Sequence, residues 1–136
     1  QRIKLAKPDD YIVLPEVISK EPLGPVVRHG DDEWFDIVKW ALFVMVNAEE
    51  MGITSKNVEE MKKSTNPDIK RLLGVEGDKG KDFGLANDWM AVVIKQVGNY
   101  GEMFDRNVGK GSPLKIERGL NALWTQGGLQ YAPPVR

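Results

Sequence analysis

Between Asp32 and Met51 the chain places Trp34, Ile37, Val38, Ala41, Leu42, Met45 and Val46 at helical spacing, while Trp40, Phe43 and Val44 fill the opposite face. A helix that is apolar all round is stable only when it is covered on all sides. Its ends are well marked. Gly30-Asp31-Asp32 puts carboxylates beside the first free N–H groups and the positive end of the dipole, and Gly52 stands where a helix C′ residue belongs. The rest of the chain has to supply, or find, several layers of cover for this one element.

The flanking sequence supplies little sheet. Tyr11-Ile12-Val13-Leu14 is apolar without alternation and stops at Pro15, which reads as a short buried strand. Gly24 to His29 is a second candidate strand. In the ribbon between them, Pro22 and Pro25 remove backbone donors and hold their predecessors extended. After Gly52 come shorter helices with clear stops. Thr54 or Ser55 caps one running through Lys63, and Asn66-Pro67 opens another with Ile69, Leu72 and Leu73 on one face before Gly74. The stretch Val75 to Asp82 reads as a mobile exposed loop. A second firm helix is expected from Gly84 to Val97 on Leu85, Trp89, Val92 and Val93, and a short one over Tyr100 to Val108. A last helix is expected from Ser112-Pro113 to Gly127-Gly128, with Ile116, Leu120, Leu123 and Trp124 as its stripe. Two strands followed only by helices do not complete a sheet layer. The expectation is a mostly helical α/β segment whose helices lie against strands located elsewhere.

Composition narrows the function classes. A chain of 136 residues with 41% hydrophobic and 29% charged residues has the profile of one globular domain. With 19 Lys and Arg against 20 Asp and Glu, the net charge of −1 leaves no basic surplus to release counterions from a nucleic-acid backbone, so no nucleic-acid partner is expected. The longest strongly apolar run, Trp40 to Val46, is far short of the roughly 20 residues that cross a bilayer. The absence of cysteine removes disulfides, thiolate ligands and Cys nucleophiles. The chain opens on Gln1 rather than Met, with no apolar signal core before Asp10, and reads as processed or cut.

Residue chemistry yields no catalytic constellation. His29 stands alone beside Arg28, which precludes a two-His metal site and favours a structural or solvated role. None of Ser19, Ser55, Ser64 and Ser112 lies in a Gly-x-Ser-x-Gly elbow. The loop from Gly74 to Lys81 lacks the Gly-Lys-Ser/Thr ending of a phosphate loop and carries Glu76 and Asp78, which repel phosphate. Asn107 to Ser112 places helix-start amides near Lys110, and an ordinary turn and cap accounts for it. The pairs Asp9-Asp10, Asp31-Asp32, Glu49-Glu50 and Glu59-Glu60 diverge by about 100° on a helix and do not converge as a dyad. Asp78 and Asp82 miss the EF-hand spacing and have Lys79 and Lys81 between them. Trp34, Trp40, Trp89 and Trp124 all fall in expected helices, where core packing outweighs a ligand cage. No catalytic residue, metal ligand or cofactor is assigned, and an enzyme is not expected.

Longer blocks carry a resemblance. The run from Leu14 to Trp34, LPEVISKEPLGPVVRHGDDEW, closely resembles the C-terminal part of general L-amino-acid-binding proteins, the periplasmic receptors of ABC uptake systems within the polar-amino-acid group. The likeness continues through Trp40-Ala41-Leu42-Phe43, Val97 to Glu102, Ser112 to Trp124 and Tyr131 to Arg136, and so covers nearly the whole chain. It implies the C-terminal part of a two-lobe periplasmic-binding-protein fold with a returning crossover strand. Residues 1–18 then end the second lobe, 19–25 form the crossover, and 26–136 supply helices that pack on the first lobe. The implied function is capture of L-amino acids in the periplasm for an ABC transporter. The implied partners are the amino acid, the membrane permease and the remainder of the receptor chain. The Arg and Asp that such receptors use for the ligand's carboxylate and ammonium are expected before Gln1, so the segment alone is expected to bind weakly or not at all. The functional element assigned here is the hinge Ser19, Lys20, Glu21, Pro22, Leu23 and Gly24, because a few residues suffice to absorb a domain-closing rotation. The competing readings are an independent helical interaction module and a homo-oligomer that exchanges segments between copies.

Overall fold

The long helix forms where its end signals place it. In the computed structural model, which describes residues 2–136, helix α1 runs Asp32–Glu50, and the Asp31 carboxylate accepts the Trp34 N–H at 3.2 Å. Four further helices follow: α2 Val58–Met61, α3 Pro67–Leu72, α4 Trp89–Val97 and α5 Tyr100–Asn107. The predicted Asn cap of α3 is present, with Asn66 accepting the Asp68 N–H at 2.9 Å ahead of Pro67. Helix α5 opens on a reciprocal capping box, in which Asn99 accepts the Glu102 N–H and the Glu102 carboxylate accepts the Asn99 N–H.

Helix α1 packs against both α4 and α5. One face of it, Val44 with Ala48, joins Ile53, Val58, Ile69, Leu72, Leu73, Trp89, Met90, Ala91 and Ile94 in a single buried cluster. That cluster closes locally, because the α2 and α3 turns fold back under α4. Val135 enters it from the far end of the chain. A second, smaller cluster joins Val46 to Leu123 and Ala132, with Phe43 and Tyr100 against it.

The expected last helix is absent. Residues 112–136 instead form an irregular strap, with 3-10 turns at Gly119–Asn121 and Trp124–Gln126. A short hairpin-like return is tied by Trp124 N–H to Gln130 O at 3.0 Å and Gln130 N–H to Ala122 O at 3.1 Å. Left-handed φ values at Lys115, Gly119 and Gly127 break the helix at three points. Ser112 does not cap a helix but closes a turn, donating to Gly109 O and accepting from Leu114 N–H. Helix α4 likewise starts at Trp89 rather than Gly84, since Lys81–Phe83 is a 3-10 turn that Gly84 ends in the left-handed region.

The two expected strands are extended but unpaired. Among the described residues the only β-bridge is Leu123 with Gln130, and the segments 11–14 and 24–29 make no ladder. A strand needs a neighbour for its N–H and C=O groups, and none is within this chain. Gln1, included in the expected 1–18 unit, lies outside the described residues.

The glycine-rich loop is exposed as expected, and it is organised around one side chain. Asn87 donates to Gly74 O at 3.0 Å and Gly77 O at 2.7 Å, and its carbonyl accepts the Gly80 N–H at 3.3 Å. Gly74 has φ +69°, and a Cβ there would overlap the Asn87 backbone carbonyl. Asn87→Ala is expected to remove about 1–3 kcal/mol, because one side chain holds three backbone groups. Faster proteolysis confined to 74–84, with α4 still protected from hydrogen exchange, is the observation that checks it.

Candidate functional site

The hinge candidates Ser19 to Gly24 lie in an arm, 11–30, that stands away from the helices. Ile18 is 96% and Leu23 92% exposed. The arm has one internal tie, a three-residue turn in which Leu23 N–H donates to Glu21 O at 2.8 Å across Pro22. Pro22 presets the φ that this turn requires, so the crossover carries a built-in bend at its midpoint. A Cβ on Gly24 would meet nothing within 4 Å, so that glycine is a point of freedom rather than of close approach.

Past Pro25 the arm runs along an apolar groove on the helices. Leu23, Gly24 and Pro25 form one rim, Trp34, Ile37, Val38, Ala41, Leu42 and Met45 of α1 form the floor, and Tyr100 and Met103 of α5 form the other rim. Trp34 is 52% and Phe35 47% exposed, so the helix that wanted cover on all sides has it only on some. The sequence expectation for the tryptophans is met by Trp89, which is buried, and by Trp40, which packs against the core. It is not met by Trp34 and Trp124, both about half exposed, since neither has a layer above it.

The groove's far rim is held by a constellation that sequence reading missed. Arg118 makes a two-pronged ion pair with Glu49, Nη1 to Oε1 at 2.9 Å and Nη2 to Oε2 at 3.1 Å. Its Nε and Nη2 also donate to Asn121 O, and its guanidinium lies over the Tyr100 and Phe104 rings at 5.4 and 5.3 Å. Burial pushes the Tyr100 hydroxyl above its ordinary value, against the pull of the nearby Arg118 charge. Nothing local in the sequence marks this pairing, because its members are 69 residues apart.

Glu102 does a second tethering job. Besides closing the α5 capping box, it accepts the Ser55 N–H at 2.9 Å and the Ser55 hydroxyl at 2.7 Å, fixing the 53–57 turn to α5. Burial opposes its ionisation, but the hydrogen bonds from Ser55 and Asn99 prevail and hold its carboxyl below the usual 4.5. A depressed carboxyl contributes stability above its unfolded value and loses it as pH falls through the folded one. Stability is therefore expected to fall below about pH 4.5, and Glu102→Gln is expected to flatten that part of the curve. Urea melts at pH 7, 5, 4 and 3 on both forms test this.

The remaining sequence candidates are dispersed. His29 is exposed beside Arg28 and the start of α1. The amides near Lys110 are used internally, Gly111 N–H by Asp105 O and Ser112 N–H by Gly109 O. Among the described residues no three His, Cys, Asp or Glu side chains converge to hold a metal ion, and no helix is long and apolar enough to cross a membrane.

This chain is similar to amino-acid-binding proteins of ABC transporters. It is 68% identical to the general L-amino acid-binding periplasmic protein AapJ of Rhizobium johnstonii and 67% identical to the putative amino-acid ABC transporter-binding protein YhdW of Escherichia coli. It is 57% identical to the glutamate/glutamine/aspartate/asparagine-binding protein BztA of Rhodobacter capsulatus. In each case the match takes in 99% of this chain and 40% of the relative, so the chain spans about two-fifths of the length of the curated relatives it matches. No family model matches it. In three dimensions it matches an ABC transporter periplasmic binding protein from Brucella ovis with glutathione bound, at a TM-score of 0.93 and 64% identity, over 99% of this chain and 43% of that one. The mostly helical architecture is thus part of a periplasmic-binding-protein fold.

Proposed function

We propose that this chain, sharing 57–68% identity over nearly its whole length with amino-acid-binding proteins of ABC transporters, is the hinge and helical portion of a periplasmic receptor that captures L-amino acids. That identity is the observation that carries the reading. Residues 11–18 end one lobe, 19–25 are the returning crossover, and 26–136 are the helices laid on the other lobe. The receptor delivers its cargo to a membrane permease and performs no chemistry on it. Residues that grip the amino acid lie outside this stretch, in keeping with the open, ligand-poor geometry of the arm.

The relatives' cargoes share a chemistry that narrows the class. BztA is named for glutamate, glutamine, aspartate and asparagine, and the Brucella ovis protein holds glutathione. Glutamine and glutathione are both amides of a glutamate γ-carboxyl, and both keep that residue's free α-ammonium and α-carboxylate. A cleft that pairs those two charges and leaves room past the γ-carbonyl accepts both. The cargo is accordingly an L-amino acid with an acidic or carboxamide side chain, γ-glutamyl amides included.

The test is calorimetric titration of a full-length chimera in which this chain replaces the matching stretch of AapJ. Saturable heat is expected with glutamate, glutamine and glutathione, and none with N-acetylglutamate, whose ammonium is lost. The 136-residue chain alone should give no heat. A folded chimera that binds no amino acid sinks the reading, and equally tight binding by the chain alone sinks the placement of the grip. In the chimera, Pro22→Ala and Gly24→Ala should shift affinity several-fold while leaving stability within about 0.5 kcal/mol, because they alter closure and touch no core. Unchanged affinity in both variants would remove the hinge assignment.

A further inference from the structure

We infer that the exposed arm and the outward face of α1 are docking surfaces for sheet layers carried by the part of a receptor-length chain outside this stretch, and that noncovalent contact alone assembles the two. The inference rests on the receptor reading and adds to it that the joint needs no covalent continuity.

Ile12, Val13 and Leu14 are 79%, 79% and 64% exposed. As consecutive extended residues they point to both faces of the backbone ribbon. The N–H and C=O groups of this trio find no backbone partner among the described residues. A run that is apolar on both faces and open on both edges has the properties of an interior strand, with neighbours beside it and a layer above and below. A second copy of this chain does not meet that need. It has no paired strand to offer among its described residues, only the same arm, and a ribbon of two arms leaves both faces wet. Helix α1 makes a matching demand with Trp34, Ile37, Ala41 and Met45, a stripe of the kind that lies on a sheet. The missing layers have a source. The Brucella ovis chain superposes on 99% of this one while more than half of its own length lies outside the match.

The test mixes the 136-residue chain with the remaining portion of AapJ, refolds the two together and measures size by light scattering. A one-to-one complex is expected. Ile12→Lys with Leu14→Lys, in an arm that lies outside both buried clusters, should leave the chain's circular dichroism unchanged and weaken the complex at least about tenfold. A homodimer indifferent to the added portion, or a double variant that pairs as well as the parent, overturns the inference. A second measurement does not depend on the AapJ portion folding by itself. Thermolysin cleavage ahead of Ile12 and Val13 should be at least about tenfold slower in the AapJ chimera than in the free chain, and equal rates overturn the inference. A complex that forms but takes up no glutamate counts against the receptor reading and leaves the docking intact. A glutamate-binding chimera whose arm is cut as fast as the free chain's does the reverse.

Discussion

Ile94→Ala is expected to lower the stability of the chain by about 2–5 kcal/mol, the range for emptying a fully buried aliphatic site. Ile94 is 0% exposed and sits where α4 meets the rest of the main cluster, with Val44 and Ala48 of α1, Val58 of α2 and Leu72 of α3 in the same body of buried residues. No side chain there faces open space into which neighbours relax easily, so the lost contacts are not recovered by collapse. For a chain of this size that loss corresponds to a fall in Tm on the order of 10 °C. Thermal and urea melts should agree, with the urea slope unchanged. Val92→Ala on the same helix, at a side chain 41% exposed, is the control and should stay within about 1 kcal/mol. Equal effects of the two would mean that α4 is not held by the contacts described.

Arg118→Ala is expected to remove about 2–4 kcal/mol. The pair with Glu49 is largely sheltered, with side chains 22% and 13% exposed, so deletion of the guanidinium strands a carboxylate that water solvates poorly. It also takes two donors from Asn121 O and the cation from above two aromatic rings. Arg118→Lys keeps the charge but loses the fork and the flat stacking surface, and should recover less than half of the loss. The Glu49→Ala, Arg118→Ala double variant should be less destabilised than the sum of its parts, because neither charge is then left alone. Strict additivity in that cycle would show the pair to be decorative.

What the sequence made legible is what its local chemistry determines. Helix α1 could be bounded at Asp31 and Gly52, and α3 at Asn66-Pro67, because caps and stops act within a few residues. Helix α5 was readable for the same reason. The strap from Ser112 was misread, since Ile116, Leu120, Leu123 and Trp124 follow a helical period that competing tertiary ties override. Arg118 is pulled to Glu49, Leu123 to Val46 and Val135 into the main cluster, and a straight helix does not reach all three. The two expected strands were read correctly as extended and apolar, but pairing is a property of partners, and none lies in this chain. The candidate hinge was legible only through its prolines and through family resemblance, whereas the Arg118 rim, assembled over 69 residues, left no local trace.

The route by which the strap closes has a consequence for synthesis. Asn47 on α1 donates to Pro133 O at 2.9 Å, across 86 residues, and Val135 supplies part of the wall around Val44 and Ala48. A ribosome adding roughly 5–20 residues per second needs on the order of 4–17 s to pass from the first of these positions to the last. Throughout that interval the most apolar helix of the chain exists without its lid. A nascent chain of this design stays adhesive until its final residues emerge, and is a natural client for whatever holds unfolded polypeptides in the meantime.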